Sequence, residues 1–177
     1  AAVRDARLNP REYVEAVAKH VLAETDDAVA SDLLANALTA ITYFMPSAQR
    51  RDAASVFVNT AIDALCKVES SDRKREWAQS ALRGLILSGS ANDDQFAFLQ
   101  DIASGSSHLL EVGPTLAWRG RVAMSALGEL SDEQIDEYLQ QDLSGEAEVF
   151  ALRARAASSE RIARQRFWDS VLEQDLA

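Results

Sequence analysis

Apolar side chains recur at intervals of three and four along nearly the whole chain, the period of amphipathic helices rather than of strands. Val14, Val17, Ala18, Val21 and Leu22 make one such stripe. Asn9 as cap, Pro10 at the first helical position and Glu12 at the third predict that this helix opens with a capping box. The next segment, 26–45, carries two stripes: Leu34, Leu38, Ile41 and Met45 on one side, Val29, Leu33, Ala37 and Phe44 on the other. A helix apolar on two sides is expected to lie between neighbours, which places this one near the centre of a stack.

Pro46 resets the chain, and a third helix is predicted over 47–68 with Val58, Ala61, Ile62 and Leu65 on one face. Ser70, Ser71 and Asp72 cap a fourth, striped by Ala78, Ala81, Leu82 and Leu85 and ending near Gly89. Ser90 and Asp93 open a fifth with Phe96, Leu99 and Ala103, after which 104–113 is irregular and rich in Gly and Ser. Pro114 starts a sixth helix (Leu116, Gly120, Ala123, Leu127), and Ser131 with Gln134 makes a capping box for a short seventh. Ser144 opens the eighth and Ser158 or Ser159 the ninth. β-branched alternation and hairpin dipeptides are absent, so no strand is predicted.

Pro10, Pro46, Ser90 and Ser131 fall about 36 to 44 positions apart, each ahead of about two helices. That is the size of helix-pair solenoid repeats, in which a hairpin covers its apolar face only by stacking on the next. The expected fold is therefore all-α: a HEAT-like α-solenoid of about nine helices in antiparallel pairs, forming one domain over 1–177. A compact irregular bundle is the alternative.

Composition narrows the function classes. The 177 residues suit one domain or one repeat array, and 47% apolar with 26% charged residues is ordinary for a folded protein. A net charge of −10 argues against nucleic-acid binding, which needs Lys and Arg in excess. No apolar run approaches the roughly 20 residues of a membrane span. Cys66, the single cysteine, follows Ala61, Ile62 and Leu65, so a buried reduced thiol is expected, consistent with a cytoplasmic location. Ala1-Ala2-Val3-Arg4 has neither an initiator Met nor a signal pattern, and the chain is read as a segment of a longer protein.

Candidate chemistry is sparse. His20 ends an amphipathic helix and His108 lies in the Gly/Ser stretch, each without a second ligand at zinc spacing. An enzyme using either histidine therefore has no pairable nucleophile and base. Asp26-Asp27 and Asp93-Asp94 fall in first helical turns, where the helix dipole favours carboxylates. Ser104-Gly105-Ser106-Ser107 does not lead into a Lys-Ser/Thr helix start, so it is no phosphate loop. Trp77, Trp118 and Trp168 lie on or beside apolar stripes and are expected in the core. Arg153, Arg155, Arg161, Arg164 and Arg166 form a basic end. Two readings stand for them: a solvated face paired with Glu146, Glu148, Glu160 and Asp169, or planar bidentate donors holding a carboxylate such as a peptide C-terminus.

The order of these pieces resembles the C-terminal helical domain of the aminopeptidase N family, of the actinobacterial type. The likeness runs through Tyr13-Val14, Ser71-Asp72, Trp77-Ala78, Gly105, Leu109-Leu110-Glu111 and Leu116-Ala117-Trp118. It continues through Ala126-Leu127-Gly128, Asp132-Glu133-Gln134-Ile135, Ala154-Arg155-Ala156-Ala157 and Phe167-Trp168, covering nearly the whole chain. The family often has arginine directly before the tryptophan of the sixth helix; here that position is Ala117 and the arginine is Arg119. The resemblance implies a non-catalytic domain that covers the active-site chamber of a zinc aminopeptidase and holds the distal end of a peptide. Zinc and its ligands would belong to an upstream catalytic domain, the partner of this one, and no catalytic or metal-ligating residue is assigned here. Arg119, Arg153 and Arg155 are the candidate peptide-binding residues. The alternative is a free-standing helical-repeat scaffold for a protein partner.

Overall fold

A computed structural model of the chain describes residues 7–173. The Ala1-Ala2-Val3-Arg4 start lies outside the described residues. Among those described, the structure is helical without strands: α1 (Pro10–His20), α2 (Asp27–Thr39), α3 (Ser47–Leu65), α4 (Ser71–Ser88), α5 (Asp93–Ser104), α6 (Pro114–Leu127), α7 (Asp132–Gln141), α8 (Ala147–Ala157) and α9 (Arg161–Glu173). A 3₁₀ turn, Val21–Ala23, follows α1, and a π-helical turn, Ala40–Phe44, follows α2. The chain divides into two compact units, one of residues 1–98 with 108–111 and one of residues 99–107 with 112–177.

The first unit is built on the α3/α4 hairpin. Gly84, late in α4, lies against Ala54, Phe57 and Val58 in the first half of α3, so the pair is antiparallel. Phe57, Val58, Ala61 and Leu65 of α3 and Trp77, Ala81, Leu82 and Leu85 of α4 supply much of its core. Ser70 caps α4 through the Arg73 N–H, and Gly89 ends it at φ 66°, a conformation that suits glycine. Arg73 reaches back to the start of α2, where it donates to the Glu24 carbonyl and pairs with Asp27 at 2.5 Å. Gln95, 1% exposed, ties α5 to α3: its amide nitrogen donates to Asn59 Oδ1 at 2.8 Å and to Ser55. The same side chain caps its own helix reciprocally with Asn92, whereas Ser90 and Asp93 were expected to open it.

Three expectations change in this unit. Asn9 caps α1 by accepting the Arg11 N–H at 2.9 Å, and the cap rests on that bond rather than on a reciprocal bond with Glu12. The first stripe of α2 is buried, while the second is covered only in its middle: Ala37 is fully buried and Leu33 half-buried, but Val29 is 44% and Phe44 40% exposed. The π-helical turn at Ala40–Phe44 explains part of this, because its wider winding breaks the 3.6-residue period that aligned Phe44 with Val29. Cys66 is exposed, not buried. It is the residue after the last turn of α3, about 100° around the helix from buried Leu65.

In the second unit α6 packs along α8, and α8 also touches α7 and α9. Trp118, Ala123, Ile135, Ala151 and Ala154 are buried there with Leu99 and Ile102 of α5. Gly120 lets α6 approach the α5 backbone, since a Cβ would lie 3.0 Å from Ala103 N. Ser131 and Gln134 form the reciprocal capping box expected for α7. Ser125, 1% exposed, donates from Oγ to the Ala154 carbonyl at 2.7 Å, and its own carbonyl accepts the Ser159 N–H at 3.1 Å. The first of these bonds satisfies a carbonyl that the last turn of α8 leaves unpaired. α9 buries no residue, and Trp168, expected in the core, is 54% exposed. Only the edge formed by Ala163, Phe167 and Val171 is half-buried.

Candidate functional site

One cluster of aromatic, acidic and basic side chains in the second unit gathers around Trp118. This indole is fully buried, stacks on Phe150 (centroids 6.4 Å apart, planes 10° from parallel) and meets Tyr138 edge-on at 6.5 Å. Its Nε1–H donates to Asp142 Oδ2 at 2.7 Å, and the other carboxylate oxygen of Asp142 accepts the Ser144 N–H at 2.9 Å. These two donors, the Ser144 backbone foremost, hold the Asp142 carboxyl below its usual range.

Arg121 occupies the angle between the two rings. Its guanidinium carbon lies 4.6 Å from the Trp118 centroid and 3.9 Å from that of Tyr138, both within cation–π range. Its Nε–H donates to the Ala103 carbonyl at 3.0 Å. Burial lowers its pKa, while Tyr138 and Asp142 act in the opposite direction.

The three arginines singled out in the sequence take separate places. Arg119 is half-buried on α6 and engaged in an interaction of its own. Arg153 is exposed, with its guanidinium carbon 5.4 Å from the Phe150 centroid, so it borders the aromatic cluster. Arg155 pairs with Asp136 of α7 at 2.5 Å. Two positions on one helix are about 200° apart, so Arg153 and Arg155 leave α8 on nearly opposite sides. The structure therefore gathers Arg153 with the cluster and commits Arg155 elsewhere.

Sequence reasoning missed Arg121, although the signal was present. Trp118 and Arg121 stand at i and i+3, where side chains share a helix face, whereas adjacent Arg119 points about 100° away. Phe150 and Arg153 repeat the same spacing on α8.

A cleft of about 390 Å³ also lies in this unit, where the starts of α7 and α9 approach one another. Ser131, Glu133, Ser158, Glu160, Ile162 and Arg166 are among its lining residues. Hydrogen bonds from its own backbone N–H and from the Ser131 hydroxyl, with Arg166 nearby, lower the Glu133 pKa. Its polar groups largely serve the helix starts themselves. Ser131 is the α7 cap, and the Ser158 hydroxyl accepts the Glu160 N–H.

His20 and His108 are both exposed. Among the described residues no group of three or more His, Cys, Asp and Glu side chains is placed to hold a metal ion. No described helix is long and apolar enough to cross a membrane. No protein-family model matches the chain, and no curated protein matches it.

Proposed function

We propose that this chain is a non-catalytic helical domain that holds the distal, carboxylate-bearing end of a peptide beside the catalytic domain of a zinc aminopeptidase. The observation that carries this reading is the arginine–aromatic cluster of α6–α8. Arg121 and Arg153 ride on Trp118, Tyr138 and Phe150, with half-exposed Val149 and Leu152 on the outer side of α8, in a chain of net charge −10. Planar cations suit a carboxylate, and the apolar side chains beside them suit the residues that precede it. The α3/α4 hairpin is the kind of unit from which a HEAT-like stack is made, and we read the whole chain as such a stack. The zinc chemistry would belong to a separate catalytic domain, and we place the chain in the cytoplasm, a setting that fits its single cysteine.

A second reading, a scaffold for a protein partner, draws on a different surface. α9 buries no side chain and presents Ile162, Trp168 and Leu172 to solvent. The two are separated by titrating the chain with an eight-residue peptide while following its tryptophan fluorescence. Saturable binding supports the peptide reading. No response, together with a reading frame that lacks an upstream His-Glu-x-x-His motif, selects the scaffold.

A further inference from the structure

Among the described residues several arginines pair with a carboxylate: Arg11 with Glu15, Arg73 with Asp27, Arg75 with Asp72 and Arg155 with Asp136. Arg121 is different. It is half-buried, yet among the described residues no carboxylate lies within ion-pair distance of it. Asp142 acts on it through space, but both Asp142 oxygens already accept other donors, from Trp118 and Ser144. The single hydrogen bond that Arg121 makes among the described residues uses Nε and ends on the Ala103 carbonyl. Its two terminal NH₂ groups bond to no described residue, and neither is sealed from solvent.

A guanidinium in this state is oriented before any ligand arrives. Two ring contacts and one backbone bond fix its plane, so little rotamer freedom remains to be lost on binding. The neighbouring Asp142 charge sets the preference for ligand charge. Its carboxylate repels any anion that approaches Arg121, and repels a dianion such as phosphate more than a monoanion. The terminal NH₂ groups match the flat, two-oxygen geometry of a carboxylate.

We propose that Arg121, held between Trp118 and Tyr138, is the group that receives the C-terminal carboxylate of a bound peptide. This rests on the peptide-holding reading above and assigns its grip to a residue other than Arg119, Arg153 and Arg155.

The test is a nuclear magnetic resonance titration of the 177-residue chain with three probes: an N-acetylated eight-residue peptide, its C-terminal amide, and inorganic phosphate. The reporters are the Arg121 Nε–H and the Trp118 indole N–H. The expected result is a saturable shift of both signals with the acid, binding about ten- to a hundredfold weaker for the amide, and no tighter binding of phosphate. Arg121→Gln should abolish the preference for acid over amide. Arg121→Lys keeps the charge but loses the planar fork, and should lose at least about tenfold in acid affinity while melting close to the parent. Arg153→Ala should leave the preference in place. If the folded Arg121→Gln variant still prefers the acid, the inference is overturned and the peptide reading stands with another arginine as the grip. If Arg121→Gln does not fold, undiminished acid binding by Arg121→Lys overturns it equally. Tighter binding of phosphate overturns the ligand class. Equal binding of acid and amide overturns the carboxylate grip altogether, and no binding of either overturns the peptide reading itself.

Discussion

The Trp118 indole donates to the Asp142 carboxylate at 2.7 Å, tying the middle of α6 to the residue that ends α7. The bond has a pH signature. The Asp142 pKa is lowered in the folded protein, first by the Ser144 backbone N–H and then by Trp118. A carboxyl with a depressed folded pKa contributes stability above its unfolded value, about 3.9, and loses it as pH falls through the folded value. The melting temperature should therefore hold between about pH 7 and 5 and fall below about pH 4. Asp142→Asn should lower stability at neutral pH and flatten the acid slope. Thermal melts followed by fluorescence check this, and an unchanged slope in the variant would show that Asp142 carries none of it.

Gly84 lets α4 lie close against α3 within the hairpin. A Cβ at this position would meet Val58 Cγ2 at 2.6 Å and Phe57 at 3.4 Å, both side chains fully or almost fully buried. Gly84→Ala gains about 0.5–1 kcal/mol of helix propensity but overpacks a rigid β-branched neighbour, which costs about 1–3 kcal/mol. The net expectation is a loss of about 1–2 kcal/mol. Because one methyl group causes it, the loss should shrink in a Val58→Ala background by at least about 0.5 kcal/mol. Chemical denaturation of the four proteins gives the coupling directly. Strict additivity would place the clash elsewhere.

Helix existence was legible because it depends on local signals: period, Pro at a first turn, Ser131 with Gln134, and Gly89 at a helix end. What failed was the choice of which apolar residue ends inside. Trp118 and Trp168 look alike in the sequence, each beside a helical stripe. One is fully buried and the other half exposed, because burial depends on whether a second element arrives to cover the face. The candidate site was half legible for a similar reason. Adjacent residues catch the eye, while side chains meet at three and four, so Arg119 was noticed and Arg121 was not. The commitment of Arg155 to Asp136 spans 19 positions, which no local pattern reports.

Cys66 gives a simple check on one such difference. It follows the last turn of α3 and is exposed, while Ala64 and Leu65 just before it are fully buried. A water-soluble disulfide reagent should titrate one thiol per chain under native conditions, at a rate close to that of the chain in denaturant. Protection of about a hundredfold or more would mean that the thiol is reached only by local opening, and that the end of α3 is packed as the sequence alone suggested.

The two stripes of α2 should respond unequally to the same chemical change. Leu34 is 2% exposed and Val29 44% exposed, five positions apart on one helix. Leu34→Gln loses about 1.5–3 kcal/mol of apolar burial and adds about 1–3 kcal/mol for an amide without partners. Val29→Gln moves a side chain already near water and should stay within about 0.5 kcal/mol of the parent. Both substitutions introduce a neutral amide, so charge and helix-dipole effects drop out of the comparison. Urea denaturation should give a midpoint for the Val29 variant close to that of the parent and a large downward shift for the Leu34 variant. Equal, large losses from both would mean that α2 is covered on its second side too, as a helix with two apolar stripes was expected to be.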